Sequence, residues 1–178
     1  FLTSLCCMAQ VTNHALRFES NGRVSLGTLP DGTSDGTTVQ FWMNPQKWSV
    51  GAHVLTWGDN LGVQLGHAGE LVVTCGSKSI AFANASMKAG TWAHVTLYLD
   101  NEEVRLLVNN TGEQSAALAT PFTAPADEAL LLGGGFVGRI DEVRVWDGIL
   151  ADDYNRFWNN TIDHLCPSWK NILGYWKK

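Results

Sequence analysis

Trp92-Ala93-His94-Val95-Thr96-Leu97-Tyr98-Leu99 alternates without a break, with Ala93, Val95, Leu97 and Leu99 on one side and His94 and Thr96 on the other. A strand turns successive side chains to opposite faces, so this period of two predicts an extended segment with one apolar face. Asp100-Asn101-Glu102 follows as a tight connection into Val104-Arg105-Leu106-Leu107-Val108, which predicts a hairpin. Short runs of the same kind recur outward from this pair. Ala15 to Phe18, Thr38 to Met43 and Leu71 to Thr74 all read as strands, and eighteen glycines punctuate the chain. Strands at this spacing predict an all-β, two-sheet antiparallel sandwich or jelly roll rather than an α/β fold. One short helix is expected near the C-terminus over Leu150–Asn160, where Asp152 and Asp153 favour the start and Tyr154, Phe157 and Trp158 return at helical spacing.

With 178 residues, 45% of them apolar and 16% charged, the chain suits one domain with a sizeable core. The net charge of −5 arises from 17 acidic and 12 basic residues spread thinly, without the basic stripe that a phosphate backbone requires, so nucleic acid is excluded as a partner. Eight tryptophans against three tyrosines supply large flat faces, able to pack a core or to stack on sugar rings.

Residues 1–9 read as the remnant of an export signal, because an apolar run precedes Cys7-Met8-Ala9 and Gln10, with small residues where a signal peptidase reads. The sandwich is expected over 10–162. Residues 163–178 read as a linker followed either by the last strand of this sandwich or by the start of a following module. Beyond the leader only Cys75 and Cys166 remain, in no zinc-binding spacing. Two buried thiols or one disulfide both fit the sequence.

Several stretches carry a family resemblance. His14 to Val24, Thr38 to Pro45, Thr91 to Val95 and, most specifically, Phe136-Val137-Gly138-Arg139-Ile140-Asp141-Glu142-Val143-Arg144-Val145-Trp146 with Gly148-Ile149-Leu150 resemble, in order, the segments of laminin-G-like, concanavalin-A-like lectin domains. Pro167 to Lys178 is similar to the linker and strand that open the next module in tandem arrays of that family. The resemblance implies two stacked antiparallel sheets, ligand-binding loops, often a calcium ion, and a place in extracellular multidomain proteins. It implies a secreted, periplasmic or cell-surface location, in the style of a bacterial protein.

Catalysis finds no motif. The E-x-D-x-x-E of glucanases is missing, and plain alternation places Asp141 and Glu142 on opposite faces, where they cannot flank one bond. No G-x-S-x-G elbow is present and the five histidines are scattered. The chain is therefore expected to bind without catalysing. Alternation also puts Asp141 with Val143 and Val145 on the apolar side, where a carboxylate needs compensation. Calcium held by Asp141, Glu19 and Asn21 is one candidate; an arginine or a cage of backbone N–H groups is the other. For ligand binding, Trp57 with Asp59 and Asn60 places an aromatic face beside polar groups, with Trp48 second. The expected partner is a carbohydrate, glycan or polysaccharide; the alternative is an extracellular protein bound by a spacer domain.

Overall fold

The computed structural model describes residues 15–83, 87–149 and 158–177. They form two antiparallel sheets stacked face to face. The first contains β1 (Leu16–Phe18), β3 (Thr37–Lys47), β8 (Ala93–Leu99), β9 (Glu103–Val108), β10 (Thr111–Ala117), β12 (Val137–Asp147) and β13 (Ile172–Trp176). The second contains β2 (Arg23–Ser25), β4 (His53–Trp57), β5 (Leu61–Leu65), β6 (Leu71–Cys75), β7 (Lys78–Phe82) and β11 (Leu130–Gly133). Strand order is β1-β12-β3-β8-β9-β10 in the first sheet and β2-β11-β4-β5-β6-β7 in the second, with β13 sharing the β1 edge of β12.

The core lies between the sheets. Val95, Leu97 and Leu99 from β8 and Val39, Phe41 and Met43 from β3 meet Leu55 and Trp57 from β4, Val63 from β5 and Val73 from β6, all buried. The β8–β9 hairpin forms as its sequence predicts: the Asp100 carboxylate accepts the N–H groups of Glu102 and Glu103, both at 2.8 Å, which closes the turn. Gly133 ends β11 at φ +84°, and a β-carbon there would sit 2.3 Å from the carbonyl oxygen of Gly22, so only glycine lets the chain cross at that point.

Two register shifts alter which side chains face inward. In β12 the pairing with β3 slips between Asp141 and Arg144, around Glu142 at φ +51°. One extra residue on the bulged strand reverses the alternation beyond it. Ile140, Val143 and Val145 consequently all reach the core. In β4 the slip between His53 and Leu55 puts the adjacent Val54 and Leu55 both inside.

The C-terminal segment does not leave the sandwich. Ile172–Trp176 pairs with Val143–Trp146 of β12, and Ile162, Cys166 and Trp169 pack with Tyr98, Leu107 and Trp146 on the outer face of the seven-stranded sheet. Apolar side chains at these positions dock the stretch that the sequence reads as a linker. Cys75 lies in the core and Cys166 in this outer layer, and both are free thiols, so the disulfide is not made. Burial pushes the Cys75 thiol up to about 11. The expected helix over Leu150–Asn160 falls almost wholly outside the described residues, as do residues 1–9. Among the described residues no helix is long and apolar enough to cross a membrane.

Candidate functional site

The outer face of the seven-stranded sheet carries the chemistry. Because Val39, Phe41 and Met43 point inward, Thr38, Gln40, Trp42 and Asn44 of β3 point outward. Register sets Asp141 of β12 and His94 of β8 on either side of Trp42, and Arg144 and Thr96 on either side of Gln40. Paired residues share a face, so these six side chains form two adjacent cross-strand rows.

The lower row is buried and hydrogen-bonded. Gln40 Nε2 donates to Thr96 Oγ1 at 3.4 Å, and Trp146 Nε1 donates to Gln40 Oε1 at 3.0 Å. Arg144, 1% exposed, donates to Glu142 Oε2 at 2.7 Å and to the carbonyl oxygen of Asn160, while the Tyr175 hydroxyl donates to the same Glu142 oxygen. The guanidinium lies 5.3 Å from the centre of the Tyr175 ring. Burial, followed by the hydrogen bond to Glu142, raises the Tyr175 phenol far above its ordinary value.

The upper row is aromatic and partly open. Trp42 is half-buried, and the Trp158 ring stacks on it at 5.6 Å between centroids and 27° between planes. His94 approaches Trp42 edge-on at 5.2 Å and lies tilted by 55° at 5.4 Å from Trp158, which closes a triangle of three rings. His94 is 1% exposed, its Nδ1 lies 3.4 Å from Thr96 Oγ1, and its Nε2 is buried without a hydrogen-bond partner. Burial, and secondarily the charge of Arg144, lowers its pKa to about 3, so the ring is neutral at physiological pH. Asn44, half-buried, and Arg139, exposed, are opposed in the next row on the same face. A flat apolar surface bordered by amide, guanidinium and imidazole groups has the components that hold a sugar ring.

The residues expected to bind ligand are placed elsewhere. Trp57 is 1% exposed inside the sandwich, with its indole N–H on the carbonyl oxygen of Glu128 at 3.2 Å and its ring against Phe122, so neither face is open to a sugar. Its place at the inward-facing end of β4 is the reason. Asp59 is exposed in the following turn, and Asn60 Nδ2 ties that turn to the carbonyl oxygen of Thr123 at 2.7 Å. Trp48, half-buried, donates its indole N–H to Gly66 at 2.8 Å, beyond the opposite end of β5. Trp48 and the Trp57 turn are thus separated by a five-residue strand, about 13 Å at 3.3 Å per step.

The expected calcium set is also dispersed. Asp141 lies one residue beyond the Leu16–Ile140 pair, whereas Glu19 and Asn21 follow the other end of β1, past the Phe18–Gly138 pair. Glu19 is exposed and sits 3.5 Å from Arg17. Among the described residues no three His, Cys, Asp or Glu side chains converge on one point. The Glu142 bulge corrects two readings of Asp141. The residue is 8% exposed on the outer face with Trp42, apart from the inward Val143 and Val145, and its Oδ1 accepts the Glu142 N–H at 2.8 Å. Asp141 and Glu142 therefore share a face, but the Glu142 carboxylate is committed to Arg144 and Tyr175.

Residues 18–153 match the family described as the Concanavalin A-like lectin/glucanases superfamily. The chain belongs to that family. Among solved structures of this fold is domain 4 of AbnA, a GH43 extracellular arabinanase from Geobacillus stearothermophilus, in complex with arabinotriose; it is 20% identical, with a TM-score of 0.63 over 82% of this chain and 76% of that one. The binding domain of botulinum neurotoxin serotype D is 14% identical, with a TM-score of 0.64 over 80% of this chain and 41% of that one. A heptameric SAP-like pentraxin from Limulus polyphemus is 12% identical, with a TM-score of 0.61 over 92% and 91%. At these identities the likeness concerns the fold. No curated protein sequence matches. The outer-face residues of this family member were legible in part: the inward Val39, Phe41 and Met43 already leave Trp42 among polar neighbours on the other side, an aromatic where a merely solvated face needs none.

Proposed function

We propose that this chain is a non-catalytic carbohydrate-binding module of an extracellular protein, and that Trp42 is the platform on which the sugar stacks. The observation that carries this reading is the half-buried Trp42 on a sheet face, its ring stacked by another aromatic and flanked by His94 in its own row and by Asn44 and Arg139 in the next. A sugar ring presents a flat C–H face and a rim of hydroxyls, and needs both kinds of partner at one place. The AbnA domain of the same fold was solved with arabinotriose, which supports an oligosaccharide as the ligand class. The commitment of Glu142 to Arg144 and Tyr175 supports binding without hydrolysis, since a glycosidase needs two available carboxyls.

The test is a glycan-array screen of the whole chain and of Trp42→Ala, repeated with calcium and with a chelator. Selective binding by the parent, lost in the variant, supports the reading. Loss on chelation adds an ion to the site. Silence of a folded parent chain under both conditions contradicts the reading and favours a protein-binding spacer.

A further inference from the structure

Trp158 occupies the surface of Trp42 that the proposed function assigns to a ligand. Its ring lies nearly parallel to Trp42 at 5.6 Å, the arrangement in which a flat sugar face packs on an indole. Beside both rings, at 5.2 and 5.4 Å between centroids, His94 keeps Nε2 buried with no partner, although its other nitrogen is near Thr96 Oγ1. A buried ring nitrogen without a partner is unfavourable, and the neighbouring indole of Trp158 does not satisfy it. A sugar in the same position would bring hydroxyls at the rim of its flat face. Neutral imidazole, with one donor and one acceptor nitrogen, bonds a hydroxyl in either tautomer.

The attachment of Trp158 suits replacement. It is half-buried and is followed by exposed Asn159 and Asn160, and the nearest anchor downstream is the Arg144 guanidinium on the Asn160 carbonyl oxygen. Beyond that anchor, Ile162, Cys166 and Trp169 hold the segment on the sheet. Turning Trp158 outward therefore leaves the rest of the C-terminal segment docked.

We propose that Trp158 is a built-in stand-in for the ligand: a saccharide ring displaces it from Trp42 and hydrogen-bonds a hydroxyl to His94 Nε2. The proposal rests on the carbohydrate-binding reading and specifies how that site is filled. It makes Trp158 a competitor, so removing it strengthens binding, whereas removing Trp42 or His94 weakens binding.

The full chain labelled with 5-fluorotryptophan is titrated with neutral tri- to hexasaccharides of arabinose, xylose, glucose and galactose, alongside Trp158→Ala, Trp42→Ala and His94→Ala. The expected result is a roughly tenfold or greater gain in affinity for Trp158→Ala, a loss of that size or more for the other two, and movement of the Trp158 fluorine resonance to a solvent-exposed position on saturation. Saccharide binding by Trp158→Ala alone, with a silent parent, overturns the proposal, since no saccharide then displaces the ring. Weakened binding in Trp158→Ala, or saturation with the Trp158 resonance unmoved, overturns it and leaves the carbohydrate reading standing. Silence in both the parent and Trp158→Ala removes the carbohydrate reading and the proposal together. The fluorine measurement on the unsubstituted chain decides the matter if Trp158→Ala does not fold.

Discussion

Glu142 holds an unusual backbone, φ +51°, and its carboxylate receives both Arg144 and the Tyr175 hydroxyl. A left-handed conformation is unfavourable for a residue with a β-carbon, so these contacts help to stabilise the bulge as well as the buried charge. Glu142→Ala removes the carboxylate from a guanidinium that is 1% exposed; the expected loss is about 3 kcal/mol of unfolding free energy, read as an earlier midpoint in urea. Tyr175→Phe leaves the ion pair in place and should cost clearly less. His94 gives a second prediction at this scale. Burial and Arg144 lower its pKa from 6.5 to about 3, so between those values the unfolded chain binds a proton that the folded chain refuses. Stability from this residue is complete above pH 6.5 and declines as pH falls toward 3, with a limiting slope of about 1.4 kcal/mol per pH unit. His94→Gln should flatten the pH dependence of chemical unfolding across that window relative to the parent; an unchanged slope would contradict the account.

At the scale of elements, regular alternation was readable and its interruptions were not. Ala93, Val95, Leu97 and Leu99 lie in the core where their period of two places them. The same rule fails at Asp141, because the bulge at Glu142 shifts the phase, and a non-glycine residue at positive φ leaves no mark in a sequence. The rule also gives no hint that His94, Thr96 and Tyr98 on the opposite side of β8 are equally buried, since part of the cover, Trp158 and Ile162 among it, comes from more than sixty positions later. β13 contributes to that cover and also pairs the edge of β12 from Val143 to Trp146. Removing residues 172–178 should expose that ladder together with Trp146, and unpaired strand edges recruit other chains. The truncated chain is expected to unfold at lower urea and to associate in size-exclusion chromatography. A monomer of parental stability would show that β13 is dispensable.

For the whole molecule, the two-sheet architecture and the family were legible from short strands and from the Phe136–Trp146 segment, and the candidate site only in part, through Trp42. Asp59 and Asn60 after Trp57 give the stretch the composition of a sugar-binding turn, yet the turn lies outside the sandwich while the ring points into it. The cluster that does form draws Trp42 from β3, His94 from β8 and Trp158 from the C-terminal segment, three positions that local spacing does not connect. Only the sheet register brings the first two together. Sugar binding by this outer face turns on Trp42. Its most direct test is isothermal titration of the parent chain and of Trp42→Ala, each shown to be folded by circular dichroism, with the oligosaccharide that the array selects. Saturable binding by the parent and at least a tenfold loss of affinity in the variant are expected, whereas equal affinity in both would place the ligand elsewhere on the sandwich and rule out Trp42 as its platform.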